Sequence, residues 1–167
     1  MAYTVKKIDV WTGDIGDRPG GLTAKLDPIG AAGADLTFIV ARRKPDDPGR
    51  GVVYLGPLVG AKQAGAAKSA GLRRATELTA LHLEGPNKPG SASQVTHILA
   101  GAGINLRGLS AATIGNKFML VLAFDSAAIA DEALKLLKAA GKGKGRDRKS
   151  TRLNSSHIQK SRMPSSA

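Results

Sequence analysis

Apolar and polar positions along the chain follow a strand-like period in some stretches and a helix-like period in others, and the changes of period mark out elements. Ile8 and Val10 stand among polar residues between Val5 and Trp11, which predicts a half-buried strand. Asp17-Arg18-Pro19-Gly20 predicts a turn opening a helix, since proline fits an early helical position where its missing N–H bonds nothing. Gly33 predicts the end of that helix, because glycine commonly stands just past a helix terminus. Leu36–Ala41 reads as a strongly apolar strand, Pro45-Asp46-Asp47-Pro48-Gly49 as a hairpin loop, Val52–Leu58 as the returning strand and Lys62–Ala70 as a short helix. Pro28 falls inside the first helix and predicts a kink or an early stop. The order then returns as strand Leu78–Glu84, helix Ser91–Ala100, strand Asn105–Ala111, turn Ile114–Lys117 and strand Phe118–Phe124. Ser126 reads as the N-cap of a helix over Ala127–Ala140 with Ile129, Ala133, Leu134, Leu136 and Leu137 on its apolar side.

The recurrence extends to single residues. Gly16–Val40 aligns with Pro86–Ser110 at an offset of 70 without a gap. Pro19 meets Pro89, Gly20 meets Gly90, Ala32 meets Ala102, Gly33 meets Gly103 and Leu36 meets Leu106. The matches fall on turn and core positions, where a shared fold imposes them. Two copies are too few for a solenoid. They predict an α+β protein of two βαββα repeats, each a two-layer sandwich of helices on a sheet. The expected division is 1–72 for the first repeat, 73–140 for the second, and a disordered tail over 141–167. Neither copy shows a fourth strand in its sequence, which leaves the first strand of each as a bare edge and predicts pairing between copies or chains there.

Charge changes this picture only after the end of the chain is set aside. Asp147–His157 and Ser161–Ala167 back-translate into one frame of a common indexed sequencing adapter, with Ile158-Gln159-Lys160 filling the index. Residues 147–167 are therefore left out of the fold reasoning. The formal net charge is +12, but residues 1–140 hold 17 Lys/Arg against 12 Asp/Glu, a mildly basic balance far from the footprint of a nucleic-acid binder. Cysteine is absent, which excludes a disulfide framework and suits the cytoplasm. No apolar stretch is long enough to span a membrane, and the first residues lack the apolar run of a signal peptide.

Asp17-Arg18-Pro19-Gly20 with Gly33-Ala34-Asp35-Leu36, and Asn87-Lys88-Pro89-Gly90 with Gly103-Ile104-Asn105-Leu106, carry a resemblance to the ACT domain family, small ligand-sensing modules of amino-acid metabolism. The second copy fits the family pattern better than the first. The resemblance implies a ferredoxin-like fold for each βαββα repeat, and a stand-alone, non-catalytic sensor that binds a free amino acid or similar metabolite between repeats and regulates a partner. It implies no cofactor, and a homodimer or an enzyme or regulator as partner. It places the ligand on Asn87, Lys88, Gly90 and Asn105, with Asp17, Arg18, Gly20 and Asp35 as their counterparts. Amides at a helix N-terminus favour a carboxylate, and an Asn amide serves either end of a zwitterion. Asp17 and Asp35 accept only, so they suit an ammonium. Gly85 and Ile15 stand where serine-sensing members carry a His.

Other classes have little to stand on. His82 falls in a strand and His97 in a helix, with no nucleophile or carboxylate at a recognisable spacing. Gly13-Asp14-Ile15-Gly16 and Gly101-Ala102-Gly103 lack the rest of a phosphate-binding fingerprint. Trp11, Phe38, Tyr54, Phe118 and Phe124 fall in strands, as on an RNA-binding ferredoxin-like sheet, but the RNP pattern is missing. The alternative to a sensor is a structural module that binds another protein through its sheet edge.

Overall fold

The structure, a computed structural model, describes residues 3–142. Of the tail expected to be disordered over 141–167, residues 143–167 lie outside the described residues. Gly141 and Lys142 end the last helix, so that helix runs two residues beyond the expected Ala140.

Two four-stranded antiparallel sheets form the frame. The chain begins with β1 (Thr4–Ile8) and β2 (Trp11–Gly16), followed by α1 (Thr23–Ala31), β3 (Phe38–Arg43), β4 (Arg50–Gly56), α2 (Gly60–Ser69) and β5 (Arg73–Arg74). It continues with β6 (Thr79–Pro86), α3 (Ser91–Gly101), β7 (Gly108–Ile114), β8 (Lys117–Phe124) and α4 (Ala127–Lys142). One sheet runs β3-β4-β2-β5 and the other β1-β6-β8-β7.

The expected strand Val5–Trp11 is thus two strands in different sheets. β2 pairs with β4 and β5, whereas β1 crosses to the later half and pairs with β6, Val5 opposite Leu83 and Ile8 opposite Ala80. Each half has the fourth strand that the sequence reading missed. In the first half it is β5, two residues long. Arg73 pairs with Glu77, and Arg74 lies 5.7 Å over the Trp11 ring and 3.3 Å from Asp9. In the second half it is β1, borrowed from the start of the chain. The first strands β2 and β6 are therefore interior, and the edges lie instead at β3 and β5 in one sheet and at β7 and β1 in the other.

Strand alternation assigns each sheet a covered and an open face. Trp11, Val53 and Leu55 pack with Ile29 and Ala67 of α1 and α2. Leu81, Leu83, Leu120, Leu122 and Phe124 pack with Val95 and Leu99 of α3 and Ala130, Ala133 and Leu137 of α4, and Val5 of β1 completes that core. The open faces meet in a smaller cluster that joins Phe38 of the first sheet to Ile8, Ala80 and Val121 of the second.

The helix ends follow from the glycines. Gly33 and Gly103 take φ of +81° and +71°, and the following amides of Ala34 and Ile104 donate back to the Ile29 and Leu99 carbonyls, so both helices close in Schellman motifs. Pro28 does not stop α1, which runs on to Ala31, the position equivalent to the end of α3. The offset of 70 holds as far as the β3 and β7 edges. The second hairpin turns within Gly115-Asn116 and is shorter than the first, so β8 and α4 come earlier than that offset requires. Ser126 caps α4, its Oγ accepting from the Ile129 amide at 3.2 Å.

Candidate functional site

The two helix-opening loops lie at equivalent places, each between the start of a helix and a bare edge strand. In the later copy the loop follows β6. The Asn87 amide donates to the Asn116 carbonyl at 2.7 Å, which ties the loop to the β7–β8 turn. Gly90 takes φ of +79°, and Ser91, buried, donates from its Oγ to the Lys88 carbonyl at 2.7 Å. The loop is held by these bonds, and the Asn87 and Lys88 side chains make no hydrogen bond to another described residue. Asn87, Lys88, Gly90 and Ser93 face Ala111 and Thr113 of β7 across a cavity of about 390 Å³.

In the earlier copy Asp17 and Arg18 face Arg42 and Arg43 of β3 across a cavity of about 430 Å³. The Asp17 amide donates to the Gly49 carbonyl at 2.9 Å, the counterpart of the Asn87 bond. Here the electrostatics differ. Arg43 Nε donates to Asp17 Oδ1 at 3.0 Å, so the carboxylate expected to receive an ammonium already carries a guanidinium. Beside it Lys44 donates to Asp14 at 2.6 Å, and that hydrogen bond holds the Asp14 carboxyl below its ordinary pKa. Gly20, with φ of +80°, shapes the turn without lining the cavity.

Asp35 and Asn105 do not join these loops. Each is exposed at the far end of its helix, just past the Schellman turn. The eleven residues of α3 separate Asn105 from Asn87 by roughly 16 Å at 1.5 Å per residue. One chain therefore holds the expected set in two halves, at opposite ends of α1 and α3. The sequence reading missed Arg43, a cross-strand neighbour with no motif of its own, and Asn116, whose carbonyl anchors the later loop.

Of the histidines, His97 is exposed, and His82 is buried on the open face of β6 with no hydrogen-bond partner for Nε2 among the described residues. Burial lowers the His82 pKa, the Lys6 charge adds to this, and Glu84 opposes it. No three His, Cys, Asp or Glu among the described residues converge as a metal site. No helix among them is long and apolar enough to cross a membrane.

Residues 79–142 match the family model of the ACT domain, a span running from β6 through α4. This part of the chain is an ACT domain. Its fold is repeated in the first half. A protein of Bacteroides thetaiotaomicron superposes with a TM-score of 0.65 at 15% identity, covering 81% of this chain and 90% of that one. The ligand-free regulatory subunit of aspartate kinase from Thermus thermophilus gives 0.59 at 17% identity, covering 84% and 97%. The aspartate kinase of Clostridium acetobutylicum gives 0.53 at 12% identity, covering 83% of this chain and 34% of that enzyme. These likenesses show a fold that spans both halves, the ACT domain and its partner repeat together. Among curated proteins no sequence matches the chain.

Proposed function

We propose that the chain is a non-catalytic, cytoplasmic sensor for a free amino acid or a similar small metabolite, and that ligand binding regulates a partner protein. The observation that carries this reading is the later helix-opening loop, where uncharged Asn87, the Lys88 ammonium and backbone amides border a cavity beside an unpaired strand edge. A carboxylate suits the Lys88 charge and the amides after Pro89, and an ammonium needs a neutral acceptor such as an Asn carbonyl. The earlier loop is less suited, because Asp17 is paired with Arg43.

In this reading the site is completed by a second chain. Pairing of β3 or β7 edges brings the Asn105 end of one copy towards the Asn87 loop of another, satisfies the bare strand groups and covers Ile39 and Leu109. The ACT match and the shared fold with aspartate kinase regulatory subunits support an enzyme or regulator as the partner. The units are then residues 1–72 and 73–140, with β1 contributed by the first to the second.

The experiment is calorimetry of the whole chain against the twenty amino acids. One of them binds, and Asn87→Ala and Asn105→Ala each weaken it about ten- to a hundred-fold, the loss expected for a hydrogen bond to a charged group. Mixing the two variants restores part of the binding if the two Asn residues come from different chains. If none binds below about 10 mM, the protein-interaction reading takes first place, supported by the exposed Ile39, Leu109 and Ile114 on the edge strands.

A further inference from the structure

We infer that the space between the open faces of the two sheets is a second binding site, separate from the helix-opening loops, for a small apolar molecule carrying a carboxylate. Protein interiors seldom leave voids much larger than a water molecule. Between these sheets there is a cavity of about 330 Å³, within the range of small-molecule sites. Its origin is legible in the register. Ala80, Ala123 and Gly108 are successive cross-strand partners on β6, β8 and β7, and none has a side chain beyond Cβ. Opposite them the first sheet presents Phe38, Val40 and Tyr54, an aromatic and aliphatic roof. Val10, Leu78 and Val121 close the sides and are buried. The surface that would enclose a ligand is thus apolar on both walls.

The charged members of the lining, Arg42 and Arg107, are exposed at its mouth beside Gly108 and Leu109. Arg107 is committed, since Nη1 donates to the Glu77 carbonyl at 3.0 Å and lies 3.3 Å from Asp125. Arg42 follows Phe38 and Val40 on the same face of β3, and its side chain makes no hydrogen bond or ion pair among the described residues. A free guanidinium at the edge of an apolar cavity is matched by a carboxylate, which it binds with two parallel hydrogen bonds. No acidic side chain lines the cavity, so an ammonium finds no opposite charge there to match the one Arg42 offers a carboxylate. The ligand is therefore an aliphatic or aryl monocarboxylate and not an amino acid. Because it touches both sheets, it ties the two halves of the chain together.

The test uses the full chain with phenylacetate and hexanoate as probes, phenylacetamide as the neutral control and phenylalanine as the zwitterionic one. Both acids raise the melting temperature with concentration and shift the backbone amide resonances of Phe38, Ala80 and Val121. Phenylacetamide binds about tenfold or more weakly, the loss of one charge-assisted contact, and phenylalanine gains nothing from its ammonium. Arg42→Gln removes the preference for acid over amide. Ala123→Leu fills the floor and abolishes binding, and Ser110→Leu, which obstructs the mouth, does the same should the first variant fail to fold. Absence of binding by both acids up to about 10 mM overturns the inference, as does binding that ignores these substitutions. Amide shifts confined to Asn87–Ser91 overturn it too, and assign the acid to the helix-opening loop. The two sites are read at different resonances, so failure here leaves the amino-acid reading to its own test.

Discussion

Val5 stands directly opposite Leu83 in the ladder between β1 and β6, and both side chains are buried in the core under α3 and α4. The ACT domain matched over residues 79–142 is therefore completed by a strand more than seventy residues upstream. Val5→Ala should destabilise the fold by roughly 1–3 kcal/mol through the cavity it leaves. Deleting residues 1–8 should expose the β6 amides, so that hydrogen exchange quickens at Leu81 and Leu83 while Val53 and Leu55 of the other sheet keep their protection. Equal loss in both sheets would mean that β1 supports the whole chain and not one half.

The Asp17–Arg43 pair predicts a change of specificity with little change of stability. Arg43 is mostly exposed, and surface pairs contribute about 1 kcal/mol or less. Arg43→Gln should leave the melting temperature nearly unchanged and free the Asp17 carboxylate. Titration with an alkylammonium salt, followed at the Asp17 and Gly49 amides, should then show binding that the unaltered chain lacks and that salt weakens.

His82 predicts a pH dependence. Burial, with Lys6 nearby, holds its pKa below the ordinary 6.5, while Glu84 pulls the other way. The neutral imidazole is favoured in the folded chain, so the unfolded chain takes up the proton more readily. Stability is complete above about pH 6.5 and declines as the pH falls through the folded-state pKa. His82→Leu should flatten urea-denaturation midpoints across that window. The Arg73–Glu77 pair acts lower: it holds Glu77 at about 2, so its small contribution, present above 4.5, is lost only as the pH falls through that value.

Gly56 predicts a large effect from a small side chain. It is buried at the end of β4, and a Cβ there would run into the Asp9 carbonyl oxygen at the point where the chain passes from β1 to β2. Gly56→Ala should cost more stability than Gly20→Ala, whose added methyl meets nothing and pays only for the left-handed backbone, about 1–2 kcal/mol. Equal costs from denaturant unfolding would show that the crossing at Asp9 yields easily.

The sequence revealed what is local. Pro-Gly turns, the Schellman glycines and the Ser126 cap each act within a few residues, and the offset of 70 followed from them. It concealed what depends on distant partners. Ile8 and Val10 alternate across Asp9 without a break, so nothing local told that Ile8 and Trp11 belong to different sheets. Arg73–Arg74 is held by ion pairs and a ring, and has no apolar pattern to find. In the same way the loop carrying Asn87 was legible from its turn residues, whereas the neutralisation of Asp17 needed Arg43 from a strand 26 residues on.

The borrowed strand also sets an order of events during synthesis. β1 is made before β2, yet its partner β6 follows only after the whole of the other sheet has been translated. At about 5–20 residues per second, the interval amounts to several seconds. Throughout it the first half can close around Trp11 and Leu55, while the leading strand stays unpaired at the ribosome surface, an adhesive edge with Val5 and Ile8 uncovered. Translation speed across residues 9–78 thus sets how long β1 waits for its partner: slowing it lengthens the exposure of Val5 and Ile8, with Lys6 and Lys7 between them to oppose wrong pairing.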